Sequence, residues 1–197
     1  MACPLYLLHY ATPPPVSSPL LSRSFQGLRF TNSGPAITIS GPDKTTATNT
    51  SDYSDSLATA GGVKVDSDSG GGGYFEVVLE SGRSSNGSMD NFYVGAVRPG
   101  LDHNRGHQDG DSAWFMKMGD GSLWGNGEEG SNGKGGLKVG DRVGVAVKNS
   151  AVAWFVNGKE CNRHPRKVTG TVVFGVQMYR EGHKCRLITN PTLPESL

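Results

Sequence analysis

The residues able to do chemistry in this 197-residue chain form three groups. Cys161 and His164 lie three positions apart, and Asp141 could complete a nucleophile–base–orienter set around an activated thiolate. Cys161 follows directly on a hairpin sequence, however. Nothing indicates an oxyanion hole or a depressed thiol pKa, so it reads as a small buried hydrophobe. The second group, in LDHNRGHQDGD (101–111), crowds Asp102, His103, His107, Asp109 and Asp111 together. Two imidazoles four apart can share a metal on one helical face, but Asn104 and Gly106 disfavour helix, and neither HExxH nor EF-hand spacing is present. The segment is read as a polar loop. The third, Gly125-x-Gly127-x-x-Gly130, matches a dinucleotide fingerprint but follows a three-residue strand and leads into more glycine. A phosphate needs the N-terminus of a helix in a βαβ unit, and Gly133-Lys134 lacks the rest of a P-loop. No catalytic residue, metal ligand or cofactor is assigned.

The elements that must position these groups are strands. In AVAWFVNGKEC (151–161), alternation puts Val152, Trp154 and Val156 on one face and Ala153 and Phe155 on the other. Both faces are apolar, so the strand is expected to be covered on both sides. Asn157-Gly158 is the preferred pair for a type I′ hairpin turn. Similar runs recur at AITIS (36–40), YFEVVLES (74–81), FYVGAV (92–97), AWFMKM (113–118), SLW (122–124), RVGVAVK (142–148), VVFGVQMY (172–179) and KCRLI (184–188). TTAT (45–48) and SLATAG (56–61) are weaker. Gly95 marks a bend or close approach. Ten or more short strands with turn chemistry between them predict an all-β, two-sheet antiparallel sandwich. Strand placement makes Trp114 and Trp154 core residues.

Composition agrees: 29 glycines, few charges and no convincing amphipathic helix. A net charge of +1 offers no basic field for nucleic acid and no basic face for a membrane, and no apolar run approaches a spanning length. Cys3, Cys161 and Cys185 are odd in number, far apart and without a CxxC pair, which favours a reducing compartment over a Cys161–Cys185 disulfide. A cytoplasmic location follows, cytoskeletal structures included. The absence of acids before Asp43, with Arg23, Arg29 and several serines, also fits a transit peptide, which makes a mitochondrial location the minor alternative.

Seven of the eleven prolines fall within residues 1–42. Proline fixes φ and removes a donor, so residues 1–35 are expected to be an extended arm, neither strand nor helix. The arm also carries Leu5, Tyr6, Tyr10, Phe25 and Phe30, more apolar groups than an idle tail needs, and is read as a docking arm. The sandwich is placed at 36–190 and a short tail at 191–197.

The order of the pieces carries a resemblance. Tyr74, Glu76 and Val77; Val94-Gly95-Ala96; Trp114 before a glycine turn; Gly140-Asp141-Arg142-Val143-Gly144-Val145; Phe155 with Asn157-Gly158; and Phe174-Gly175-Val176 follow one another as in the SPRY domain family, which residues 36–190 resemble. The turn at Lys148-Asn149-Ser150 is shorter than usual there, and Gly175 stands where proline is common. The resemblance implies a non-enzymatic module that recognises one or more proteins through loops at one edge of the sandwich. Those loops correspond to Pro42, Asp43 and Lys44, and to Arg98, Pro99, Asp102, His103, Asn104, Arg105 and His107. Trp114, Trp154, Phe155, Asn157 and Gly158 are the structural members. A small subunit of a larger assembly is the leading expectation, and a free adaptor for a short peptide the second. A lectin-like sugar binder, with Trp124 beside Asn126 as its platform, is the alternative of another class.

Overall fold

Apolar residues alternating with period two, interrupted every few positions by Gly, Asn, Asp or Pro, give strands and tight turns and leave no room for a long helix. The computed structural model describes residues 28–66, 72–82, 88–108, 110–131, 136–195 and 197. Its strands are β1 (Arg29–Ser33), β2 (Ile37–Ser40), β3 (Thr46–Asn49), β4 (Ser56–Asp66), β5 (Gly73–Ser81), β6 (Phe92–Val97), β7 (Ala113–Lys117), β8 (Leu123–Gly125), β9 (Glu128–Ser131), β10 (Arg142–Lys148), β11 (Ala151–Val156), β12 (Lys159–Arg163), β13 (Thr171–Met178) and β14 (Lys184–Leu187). A 3-10 turn at Gly106–Gln108 is the only helical element among the described residues, and no helix there is long and apolar enough to cross a membrane.

Two seven-stranded antiparallel sheets result. Sheet A runs β1-β4-β13-β6-β7-β8-β9, and sheet B runs β12-β11-β10-β5-β14-β3-β2. The last two strands occupy the middle of the sandwich: β13 lies between β4 and β6, and β14 between β5 and β3. Each strand turns one set of side chains inward. Phe75, Val77 and Leu79 of β5 meet Val94, Trp114 and Phe174 in one core cluster. Phe75 and Phe174 stack across the two sheets with centroids 5.1 Å apart, worth about 1 kcal/mol beyond their buried area. Trp154 on sheet B is fully buried and donates its indole N–H to the Val94 carbonyl on sheet A at 2.8 Å, so its one polar atom is paired across the two sheets.

The β11–β12 hairpin forms as its sequence predicts. Asn157 and Gly158 take φ of 51° and 81°, the left-handed pair of a type I′ turn. Asn157 also accepts the Arg142 amide at 3.0 Å and donates to Asp141 at 2.9 Å, tying the hairpin to the start of β10. Asn149 and Ser150 make a second turn with φ of 50° and 61°, tight enough to explain the short β10–β11 connection.

The outer face of sheet B is also packed. Tyr74, Ala146, Ala153 and Phe155 form a separate buried cluster there. Gly144 is required beneath it: a Cβ at this position would overlap the Tyr74 hydroxyl. Beside it Glu76, only 3% exposed, receives both arms of the Arg142 guanidinium, at 2.6 and 3.1 Å. Such a fork suits a carboxylate that has lost its water.

Two expectations need correction. The arm does not stay out of the sheets as far as residue 35, because β1 pairs with β4 and Phe30 is fully buried. The argument against a strand rested on proline, and residues 20–34 contain none. Residues 1–27 lie outside the described residues. SLATAG, read as weak, opens the eleven-residue β4, which β1 and β13 pair on both sides. The glycine-rich stretch 125–136 includes β9, an edge strand paired with β8; residues 132–135 lie outside the described residues.

Candidate functional site

The segment joining β6 to β7 holds most of the expected binding residues, and its geometry begins with a turn. Pro99 and Gly100 (φ 83°) reverse the chain, closed by the Leu101 amide on the Arg98 carbonyl at 3.3 Å. The turn sends the loop back across the outer face of sheet A. Leu101 is buried there with Leu57, Tyr93, Val97, Ala113 and Phe115. The main chain continues the attachment, with the His103 carbonyl accepting the Leu57 amide at 2.8 Å.

His103 and His107 both lie against the sheet. His103 Nε2 sits 3.4 Å from the Thr59 hydroxyl. The His107 ring stacks on Tyr93 with centroids 4.4 Å apart, and Trp124 meets both rings edge-on. Gln177, fully buried in β13, locks the arrangement. Its carbonyl accepts the His107 amide at 2.6 Å, and its NH2 donates to His107 Nδ1 and to Asp55, each at 2.8 Å. Nδ1 is therefore the unprotonated nitrogen. Burial lowers the titration of both histidines and keeps them neutral near pH 7.

What remains outward on this loop is polar. Asp102 Oδ1 accepts the Asn104 amide at 3.0 Å and its side-chain NH2 at 3.1 Å, and Pro99, Asp102, Asn104 and Arg105 are exposed. Arg98 is occupied elsewhere: its guanidinium lies 5.2 Å over Trp114 and donates to the carbonyl and hydroxyl of Thr169.

The second expected segment, the β2–β3 turn, presents Pro42, Asp43 and Lys44 to solvent. They line a cleft of about 390 Å3 with Leu28, Arg29 and Thr189. The Lys44 carbonyl accepts the Phe30 amide at 2.9 Å, which fastens this turn to β1. Strand register puts Arg29 and Arg98 at the same end of sheet A, with β4 and β13 between them. The displayed part of the β6–β7 loop does not share that end: His103 lies beside Leu57 and Gly34, at the opposite end of β4 and β1 from Arg29, so the two loops do not form one pocket. Gln177, Leu101 and Tyr93 were not singled out in the sequence. The available signal was a glutamine alternating with Val173 and Gly175 in an otherwise apolar strand.

The other candidate chemistry is dispersed. Burial pushes the Cys161 thiol up to about 11, and its sulfur faces the Trp154 carbonyl and Met116. His164 has both ring nitrogens engaged, by the Gly125 carbonyl and the Arg166 amide. Asp141 bonds the Lys138 and Asn157 nitrogens. Cys161 and Cys185 are free thiols. Trp124 is half-buried, its N–H is bonded to Ser122 at 2.8 Å, and its ring meets Tyr93 and His107 at right angles.

No family model matches the chain, and no curated protein matches it. Solved structures do. The SPRY domain of human HERC1 superposes with a TM-score of 0.63 over 82% of this chain and 96% of that one, at 16% identity. A human SPRY domain superposes with a TM-score of 0.66 over 83% of this chain and all of the other, at 20% identity. The architecture is the SPRY β-sandwich.

Proposed function

We propose that this chain is a non-enzymatic protein-recognition module of SPRY type. The carrying observation is the β6–β7 loop. Leu101, His107 and Gln177 fix it to sheet A, so Pro99, Asp102, Asn104 and Arg105 are displayed on a backbone already ordered before binding. Preorganised loops on a rigid scaffold lose less entropy on association, and arginine is a residue type on which interfaces concentrate energy. The Pro42–Lys44 turn is a second, separate exposed patch, and the cytoplasm is the setting we assign.

The test is quantitative affinity purification of the tagged full chain beside Asn104→Ala/Arg105→Glu, two exposed changes expected to leave the fold intact. At least a tenfold loss of recovered partner supports the reading, and undiminished recovery from the folded variant overturns it. Partners at fixed, near-equal stoichiometry identify a subunit of a larger assembly, which is our reading; varied partners sharing a short motif identify an adaptor.

A further inference from the structure

The outer face of sheet B carries a second surface. After β14 the chain crosses this face, and Leu193 and Leu197 pack on the cluster of Tyr74, Ala146, Ala153 and Phe155. Main-chain hydrogen bonds to the sheet stop at Ile188, whose amide reaches the Glu76 carbonyl at 2.8 Å. Beyond it, the only main-chain bond among the described residues is internal to the tail, Leu197 N–H to the Pro194 carbonyl at 3.1 Å. The attachment consists of side chains, together with a hydrogen bond from the Lys148 ammonium to the Leu197 carbonyl. A segment held by side chains alone releases far more readily than a strand held by a ladder.

The tail does not fill the space. Between Thr192–Glu195 and the Asn157–Glu160 turn lies a cleft of about 740 Å3, with the Glu76–Arg142 pair in its wall. Lys159 lines the cleft and has no ion pair among the described residues, while Glu195 faces the same space and is exposed. A fixed apolar strip, a lysine at one end and basic groups at the other describe a receptor for a particular kind of segment.

We infer that the outer face of sheet B is a peptide-docking groove, which the tail occupies in place of a partner segment of the same chemistry. That segment has two leucine-type side chains four residues apart, a proline-started turn between them that brings both onto Tyr74 and Phe155, and an acidic residue facing Arg142 and Lys159. The seated tail demonstrates the fit, and Lys159, with no ion pair among the described residues while Arg142 is held by Glu76 and Glu160 by Arg163, sets the sign of the partner's charge. This surface is on the sheet opposite the β6–β7 loop, so it stands or falls separately from the recognition proposed above.

The test uses the full chain with Leu193→Asp/Leu197→Asp, which unseats the tail, and a fluorescent peptide of the sequence NPTLPESL. The variant should bind the peptide saturably and at least tenfold more tightly than the wild type, whose own tail competes. A peptide with both leucines changed to alanine should not bind, and Glu→Lys in the peptide should weaken binding severalfold. A folded variant that ignores the peptide, or binds the alanine peptide equally well, overturns the inference. Concentration-dependent dimerisation of the wild type, abolished in the variant, would assign the groove to a second copy and also overturn it. If the double variant does not fold, Lys148→Glu loosens the tail with less disturbance and is read against the same peptides.

Discussion

Both outer faces of the sandwich are covered by the chain itself, in different ways. On sheet A the cover is the β6–β7 loop, joined by main-chain hydrogen bonds, a buried glutamine with every polar atom used, and a stacked Tyr93–His107 pair. On sheet B it is a tail resting on two leucines. Buried polar groups are costly to leave unpaired, so the first cover cannot lift without breaking several bonds at once. The second gives up only apolar contact and one lysine bond. A cover of the first kind orders residues for display, and one of the second kind can be exchanged.

Substitutions on each side sharpen or break that contrast. The largest effect is expected from Gly144→Ala, which forces the Tyr74 hydroxyl out of its position and should cost about 3 kcal/mol in urea unfolding. An unchanged midpoint would mean that the floor of the sheet B groove is not fixed. Gln177→Leu removes the acceptor of the His107 amide and one donor to Asp55, and should cost about 2 kcal/mol. Hydrogen exchange should rise in residues 98–107 and not in 188–195. Leu193→Ala should cost only about 1 kcal/mol, because that side chain is half-buried, and should raise exchange in the tail alone. If the Leu193 change also loosened the β6–β7 loop, the two covers would be one unit.

The smallest effect is expected from pH. Burial depresses the folded-state pKa of His103 and His107 below the ordinary value. Between the two values the unfolded chain binds more protons than the native one. The stability contributed by the neutral rings is complete above about pH 6.5 and is lost as pH falls through their folded values. Exchange in 98–107, corrected for intrinsic rate, should therefore increase from pH 7.5 to 5.5 more than in the tail, whose contacts contain no histidine. Equal changes in both segments would contradict this.

Much of the sandwich was legible because its signals are local. Alternation located β5, β6, β10, β11 and β13, and Asn157-Gly158 announced its turn without any knowledge of neighbours. Gly95 was correctly suspected of a close approach, and a Cβ there would overlap the Trp114 main chain. β1 and β4 were obscured because small and polar residues such as Thr59 and Asn32 enter strands when a partner is supplied from elsewhere in the chain. The loop residues were readable as polar, but which of them would face inward was not. His103 and His107 turn in because Thr59, Tyr93 and Gln177, remote in sequence, meet them there. Leu193 and Leu197 looked like an unremarkable tail because their receptor is assembled from three strands.

The position of β13 and β14 governs how such a chain can be made. Synthesis runs from the N-terminus, and domains fold as units while they emerge. Here each sheet waits for a strand near the end of the domain: without β13, β4 and β6 have unpaired inner edges, and without β14 so do β3 and β5. Until β13 has emerged, a nascent chain on the ribosome carries four such open inner edges, and until β14 has emerged it still carries two, those of β3 and β5. Open edges of that kind invite pairing with other chains. The interval between the translation of β6 and that of β14 is thus the one in which the nascent chain is expected to be most prone to pairing with other chains, and a chain truncated within it is expected to aggregate rather than fold as a smaller domain.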